Sequence, residues 1–109
     1  MSSYLLIETC LTGDSHAVHN FLDLAIQLSE DNHAVDLFLI QNGVLLARID
    51  GEPRLSALIR KPNVSVQVDD FSLLSHFLKS SDLIPGVKVA GMSTLVKMLT
   101  QPNYKPIWH

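Results

Sequence analysis

Apolar and polar positions along the chain form two kinds of segment that alternate. Nearly continuous apolar runs at residues 4–8, 34–40 and 64–68 are typical of strands that are buried on both faces. The first two runs are followed by segments in which apolar residues recur at helical spacing, most clearly at residues 16–30. This alternation predicts an α/β fold, with a parallel sheet that carries helices on both faces.

The remaining elements are shorter and are marked by turn and cap residues. The pattern predicts helical turns near residue 44 and at residues 55–60, a helix at 71–80, a strand at 87–90, and a helix to residue 100 with Ser93 as its N-cap. Asn32 is a suitable left-handed residue to end the first helix. Pro102 and Pro106 restrict the closing segment to an edge strand. The strand residues expected to be buried are Leu5, Leu6, Val35, Leu37, Leu39, Val64, Val66 and Val68.

In a parallel sheet of this kind, ligands bind where the strands end at their carboxyl side. The candidate ligand-binding residues are those at the predicted strand ends: Thr12, Gly13, Asp14, Ser15, Gln41, Asn42, Asp69, Asp70 and Ser72. The loop at residues 11–15 has one glycine and no lysine, so it matches no nucleotide-binding fingerprint. We predict no cofactor and no metal site.

Asp69 and Asp70 directly precede a predicted helix. Two carboxylates in this place can act as acid and base or bind a metal, but a helix start also needs acceptors for its free N–H groups. We favour the structural role and expect Asp70 to be the N-cap, accepting a hydrogen bond from the N–H of Ser72 or Leu73. Asp69 would then add negative charge at the helix terminus.

Cys10 is the single cysteine, and it is the one residue able to carry sulfur or act as a thiol nucleophile. It follows the first strand, where the next helix terminus and His16 or His19 can favour its thiolate. A free cysteine is also commonly a buried, purely packing residue. His16 and His19 lie three residues apart and would bind a metal only if a third ligand approached, and such a pair is more often solvated.

Composition limits the class of protein. The chain has 109 residues, 47% apolar and 17% charged, with a net charge of −3, which predicts one domain over residues 1–109. Without a basic run, neither nucleic acid nor a membrane is an expected partner. One cysteine and no secretion signal predict a cytoplasmic protein.

Self-association is also expected, because the chain has few charges and the large apolar residues Phe71, Leu74, Phe77 and Trp108. Trp108 is expected in the core or at a subunit interface.

Whole-chain motifs add a family resemblance. The segments "LLIETCLTGDSHAVHNFLDLAIQLSEDNHAVDLFLIQNGVLLAR", "VSVQVDDFSLLSHF", "DLIPGVKVAGMSTLVKML" and "IWH" together resemble the DsrE/DsrF-like family of small sulfur-relay proteins. The resemblance implies a three-layer α/β/α fold with a mostly parallel five-stranded sheet, and assembly into homotrimers or hexamers. It also implies a carrier cysteine just after the third strand, where this chain has Asp69, Asp70, Phe71 and Ser72.

The absent cysteine shapes the functional hypotheses. The leading one is a non-catalytic or accessory DsrE-like subunit that acts in intracellular sulfur relay through oligomer and partner contacts. One alternative is a sulfur carrier or thiol-redox protein that uses Cys10. Another is a small-molecule or nucleotide-binding module at the strand ends. Whether the chain is an enzyme stays open at this point.

Overall fold

The predicted alternation of strands and helices is present in the computed structural model, which describes residues 2–10 and 15–109. The strands are β1 (Ser3–Glu8), β2 (Ala34–Leu39), β3 (Val64–Asp69), β4 (Lys88–Ala90) and β5 (Tyr104–Trp108). The α-helices are α1 (Ser15–Glu30), α2 (Pro53–Ile59), α3 (Asp70–Ser75) and α4 (Met92–Leu99). Short 3-10 helices occur at Gln41–Ala47 and Ser80–Asp82.

The five strands form one parallel sheet in the order β4-β3-β2-β1-β5. Leu6, Leu37 and Val66 pack on one face with residues of α1, α2 and α3. Leu5, Ile7 and Phe38 pack on the other face with α4. The predicted α/β fold with a helical layer on each side of a parallel sheet is therefore confirmed.

The prediction of buried strand residues is confirmed for seven of the eight positions, and Val64 is only partly buried. Val64 is the first residue of β3, at the amino end of the sheet. Fewer neighbours cover a side chain in that place than in the middle of a strand. Among the described segments, no helix has both the length and the apolar character needed to cross a bilayer.

Two helix ends show how left-handed residues set the boundaries. Asn32 follows α1 with φ of 66°, as predicted for its stop. The helix predicted at residues 71–80 is wrong in length, because α3 ends at Ser75 and Phe77 takes a φ of 56°. The N–H of Leu78 then bonds to Leu73 O at 2.9 Å, which closes the end of the helix and turns the chain.

Predictions at the carboxyl end of the chain fare differently. β5 is an edge strand, so Pro106 is accommodated as predicted. Trp108 is 54% exposed, so of its two expected positions the core of the chain is wrong, and the subunit interface stays a prediction. The predicted N-cap of α4 is also wrong: the cap is Gly91, without a side-chain bond, and Ser93 lies inside the helix.

A polar pair links β2 to β5 across β1. The Tyr104 hydroxyl hydrogen bonds to the carboxylate of Asp36. Burial raises the pKa of Asp36 above its usual value, although the Tyr104 bond and the charge of Lys88 oppose the shift. Burial, together with the Asp36 bond and charge, raises the pKa of Tyr104 to about 12. The pair is therefore a polar contact beside the apolar side chains on the α4 face of the sheet.

Close backbone approach at Gly43 positions the carboxyl end of β1. A Cβ on Gly43 would lie 2.3 Å from the carbonyl oxygen of Glu8. The same oxygen accepts a bond from the N–H of Ile40 at 3.1 Å. The 3-10 helix after β2 can therefore pack against the end of β1 because residue 43 has no side chain.

We predict that Gly43→Ala destabilises the fold, because the new methyl group would meet rigid backbone. Overpacking of this kind typically lowers the free energy of unfolding by about 1–3 kcal/mol. Gly91→Ala is the matched control, since its Cβ would meet the nearest side-chain atom at an ordinary 3.7 Å. Chemical denaturation of the two variants measures the difference, and equal losses would contradict the packing explanation.

Candidate functional site

The helix start after β3 is capped by Asp69. Its Oδ2 accepts from the backbone N–H of Ser72 at 3.0 Å and from the Ser72 hydroxyl at 2.7 Å. The Ser72 oxygen in turn accepts from the N–H of Gln41 at 2.8 Å. Asp69 and Ser72 are buried, so these bonds join the ends of β2 and β3 in a setting with little water.

The prediction that Asp70 caps this helix is therefore wrong by one residue. Asp70 is the first residue of α3 and is exposed. Its carboxylate lies beside Gly91, where a Cβ would be 3.7 Å from Asp70 Oδ2. Because Gly91 is the N-cap of α4, the charge of Asp70 is close to the N-termini of two helices, which both favour an anion.

A cavity of about 420 Å³ opens beside this cap. It is lined by Ile40, Gln41, Asp69, Phe71, Ser72, Ser75, His76 and Met92. Among the described residues, Asp69 Oδ1 is buried and has no hydrogen-bond partner. Gln41 has a φ of 53°, which is uncommon for a residue with a side chain. Three of the predicted ligand residues, Gln41, Asp69 and Ser72, thus meet at one cavity.

Of the other predicted ligand residues, Asn42 and Asp70 do not line this cavity. Asn42 is exposed on the 3-10 helix, and Asp70 is exposed at the start of α3. Ser15 is the first residue of α1. Thr12, Gly13 and Asp14 lie outside the described residues.

A second group of polar residues lies at the carboxyl ends of β1 and β5. Glu8 is fully buried, and both of its carboxylate oxygens lie 2.8 Å from His109 Nδ1. The imidazole of His109 stacks on Phe21, with ring centroids 5.1 Å apart. The backbone of His109 donates to Ile7 O at 2.8 Å and accepts from the Thr9 N–H at 3.1 Å. The position of the imidazole is therefore determined by both backbone and ring contacts.

Cys10 completes this group. Its backbone N–H donates to Glu8 Oε2 at 3.0 Å, and its side chain is exposed, so the interpretation as a buried packing residue is wrong. One ligand atom each of Glu8, Cys10 and His109 lies within 4.8 Å of the others. In the part of the chain that the structure describes, this is the one such group of three that could hold a metal ion.

His19 has a different role from the one considered for it. Its Nε2 lies 3.0 Å from Oε1 of Glu52, which is buried and also pairs with Arg54 at 3.2 Å. Arg54 reaches Asp23 of α1 at 2.8 Å. The Arg54–Asp23 ion pair and the His19–Glu52 contact tie α2 to α1. His19 therefore takes part in helix packing, and the His16–His19 pair belongs to no three-ligand group among the described residues.

Glu8 and His109 were missed as site residues. The sequence shows a carboxylate at the end of an apolar strand and a histidine after an edge strand, and both are carboxyl ends of parallel strands. These two residues predict a site only if β5 is known to lie next to β1. The local sequence pattern does not specify that β1 and β5 are neighbours.

Comparison with known proteins shows similarity in fold. No protein-family model matches the chain. It is 27% identical over 118 residues to "Uncharacterized protein MJ0760" of Methanocaldococcus jannaschii, an alignment that covers 94% of this chain and 42% of that protein. The chain thus spans less than half the length of this curated relative.

Two solved structures are similar over nearly the whole chain. "Protein of Unknown Function MTH1491" from Methanobacterium thermoautotrophicum has a TM-score of 0.82 and 20% identity, covering 99% of this chain and 98% of that chain. The "ychN protein" from E. coli has a TM-score of 0.83 and 22% identity, covering 98% and 100%. These matches show that the compact α/β fold is shared.

We predict that Asp69, and not Asp70, holds the start of α3. Asp69→Ala removes the acceptor of two buried Ser72 donors, which is expected to cost about 1–3 kcal/mol of unfolding free energy. Asp70→Ala is the control and is expected to cost less than about 1 kcal/mol, because an exposed charge at a helix terminus contributes little. Urea denaturation compares the two, and an Asp70 variant as unstable as the Asp69 variant would overturn the cap assignment.

Proposed function

We propose that the chain is an accessory, non-catalytic DsrE-like subunit that acts in intracellular sulfur relay through self-assembly and partner contacts. One observation carries the proposal. Phe71, Leu74 and Phe77, termed the α3 apolar face, are 70%, 74% and 92% exposed on and just after one short helix. Exposed apolar side chains grouped in this way mark protein interaction surfaces.

The α3 apolar face continues to the edge of the sheet. A groove of about 510 Å³ lies between α3 and β4, lined in part by Phe71, Leu74 and the exposed Val89. β4 is an edge strand, so one side of its backbone is available for contacts. Burying one large apolar side chain contributes roughly 1.5–3 kcal/mol, so three such side chains favour association substantially.

The chemistry of the same region supports an accessory role. In the family that the sequence resembles, the carrier cysteine lies just after the third strand. Here Asp69 and Ser72 are committed to the hydrogen bonds that start α3, and no thiol is present at residues 69–72. A carrier cysteine for sulfur at this position would therefore have to come from another subunit. The fold shared with the archaeal and E. coli structures supports the DsrE-like assignment, and the link to sulfur relay comes from the motifs.

A second candidate function, sulfur transfer by Cys10, is favoured by the exposure of its thiol beside Glu8 and His109. His109 accepts the thiol proton, and the thiolate attacks the outer sulfur of a donor persulfide. The donor S–S bond breaks and a new S–S bond forms on Cys10. The donor leaves as a thiolate, which takes the proton from His109. No external oxidant is needed.

Self-association is the first testable consequence. We expect the wild-type chain to sediment as an oligomer, as a trimer or hexamer, at micromolar concentration. Leu74→Glu with Phe77→Glu should shift it to monomer without unfolding it, because both side chains are exposed in the single chain. Val96→Glu is the control: Val96 is 55% exposed on α4, which packs on the other face of the sheet. A wild-type chain that sediments only as monomer would contradict the proposal.

Thiol reactivity tests the second candidate separately. If His109 serves as base, His109→Gln should slow persulfide formation on Cys10 by roughly 10²-fold, the lower range for general-base catalysis. His76→Gln changes a histidine beside α3 and should leave the rate unchanged. Mass spectrometry after reaction with a small persulfide donor measures the product. Equal rates in all three proteins would show that His109 does not activate Cys10.

A further inference from the structure

The carboxylate of Glu8 is held in an unusual environment. It is fully buried, and its partners are a single imidazole nitrogen, which faces both oxygens at 2.8 Å, and the N–H of Cys10 at 3.0 Å. A buried carboxylate is costly unless a positive charge balances it. Both oxygens lie 2.8 Å from the same imidazole nitrogen, so a cation that replaces the proton between them meets a carboxylate and an imidazole ligand at one position.

Cys10 adds a ligand of a different chemical kind at the same point. Its sulfur lies within 4.8 Å of a ligand atom of Glu8 and of His109. A thiolate, an imidazole and a carboxylate together form a donor set that suits zinc and related metals, whereas magnesium and calcium prefer oxygen ligands. We propose that Glu8, Cys10 and His109 bind a thiophilic divalent cation of the Zn²⁺ class.

The geometry requires small movements. In a tetrahedral zinc site, nitrogen and oxygen ligands lie about 3.4 Å apart, so the Glu8–His109 contact must open by roughly half an ångström. The sulfur must approach to about 3.6 Å from the nitrogen. Cys10 is exposed just beyond the end of β1, so its side chain can turn inward. Three protein ligands leave a fourth position for water or a substrate.

Contacts around the ligands favour a defined site. His109 is held by Ile7 O and the Thr9 N–H, and its ring stacks on Phe21. Such outer contacts fix the orientation of a ligand and strengthen metal binding. The site follows β1 and β5, whereas the α3 apolar face follows β3, so metal binding does not depend on the proposed assembly. Metal binding would compete with sulfur transfer by Cys10, because the metal coordinates the same thiolate.

Cobalt titration of the chelator-treated protein tests the proposal. We expect one Co²⁺ per chain, with a thiolate-to-cobalt charge-transfer band that Zn²⁺ abolishes by displacement. Cys10→Ser should remove the band and, because Cys10 is exposed, should leave the fold intact. His109→Ala and Glu8→Gln should weaken binding by more than the roughly 10–100-fold that loss of an outer contact costs.

The control is His76→Ala, which removes a histidine outside the group and should leave binding unchanged. The absence of the charge-transfer band in the wild-type protein overturns the proposal. If His109→Ala binds Co²⁺ as tightly as the wild-type protein and shows the same band, the proposal is also overturned, because that result means that Cys10 alone attracts the ion. Since Glu8→Gln alters a buried carboxylate, its thermal unfolding is measured alongside, and the Cys10 and His109 variants decide the outcome if it unfolds.

Discussion

The parallel pairing of β1 with β5 is the interaction on which the arrangement of chemistry in this protein depends. It joins residues about a hundred positions apart, and the bonds from His109 to Ile7 and from Thr9 to His109 continue it beyond the ends of both strands. The pairing places an imidazole against a buried carboxylate and leaves a thiol beside them. Without it, the buried carboxylate of Glu8 would lose its imidazole partner and keep the N–H of Cys10 as its remaining contact.

The carboxyl edge of the sheet carries two groups of polar residues with different uses. At β3, Asp69 Oδ2 and the Ser72 hydroxyl start α3 and join it to Gln41, so these two groups serve the fold. At β1, the Glu8 and His109 side chains contact each other beside the exposed Cys10, and both proposals for chemistry in this protein use these three residues. On those proposals, the edge where parallel sheets place ligands has a structural half at β3 and a reactive half at β1.

The sequence predicted the fold well because it rests on local apolar patterns, which identify β1, β2, β3 and α1 within a residue or two. It predicted the site less well because the site depends on finer or longer-range features. Whether Asp69 or Asp70 caps α3 depends on a one-residue boundary, which a pattern does not resolve. The early end of α3 follows from a left-handed Phe77. The contact between Glu8 and His109 depends on strand order, which local patterns do not encode.

Strand spacing relates the surface proposed for assembly to the reactive group. α3 begins at the end of β3, and β1 is two strands away, so about 10 Å of sheet separates their ends. A partner that covers the α3 apolar face reaches the region of Cys10 only if it extends beyond β2. Assembly and chemistry at Cys10 can therefore be changed by substitutions that do not share contacts. Effects at sites that far apart are close to additive unless the fold itself couples them.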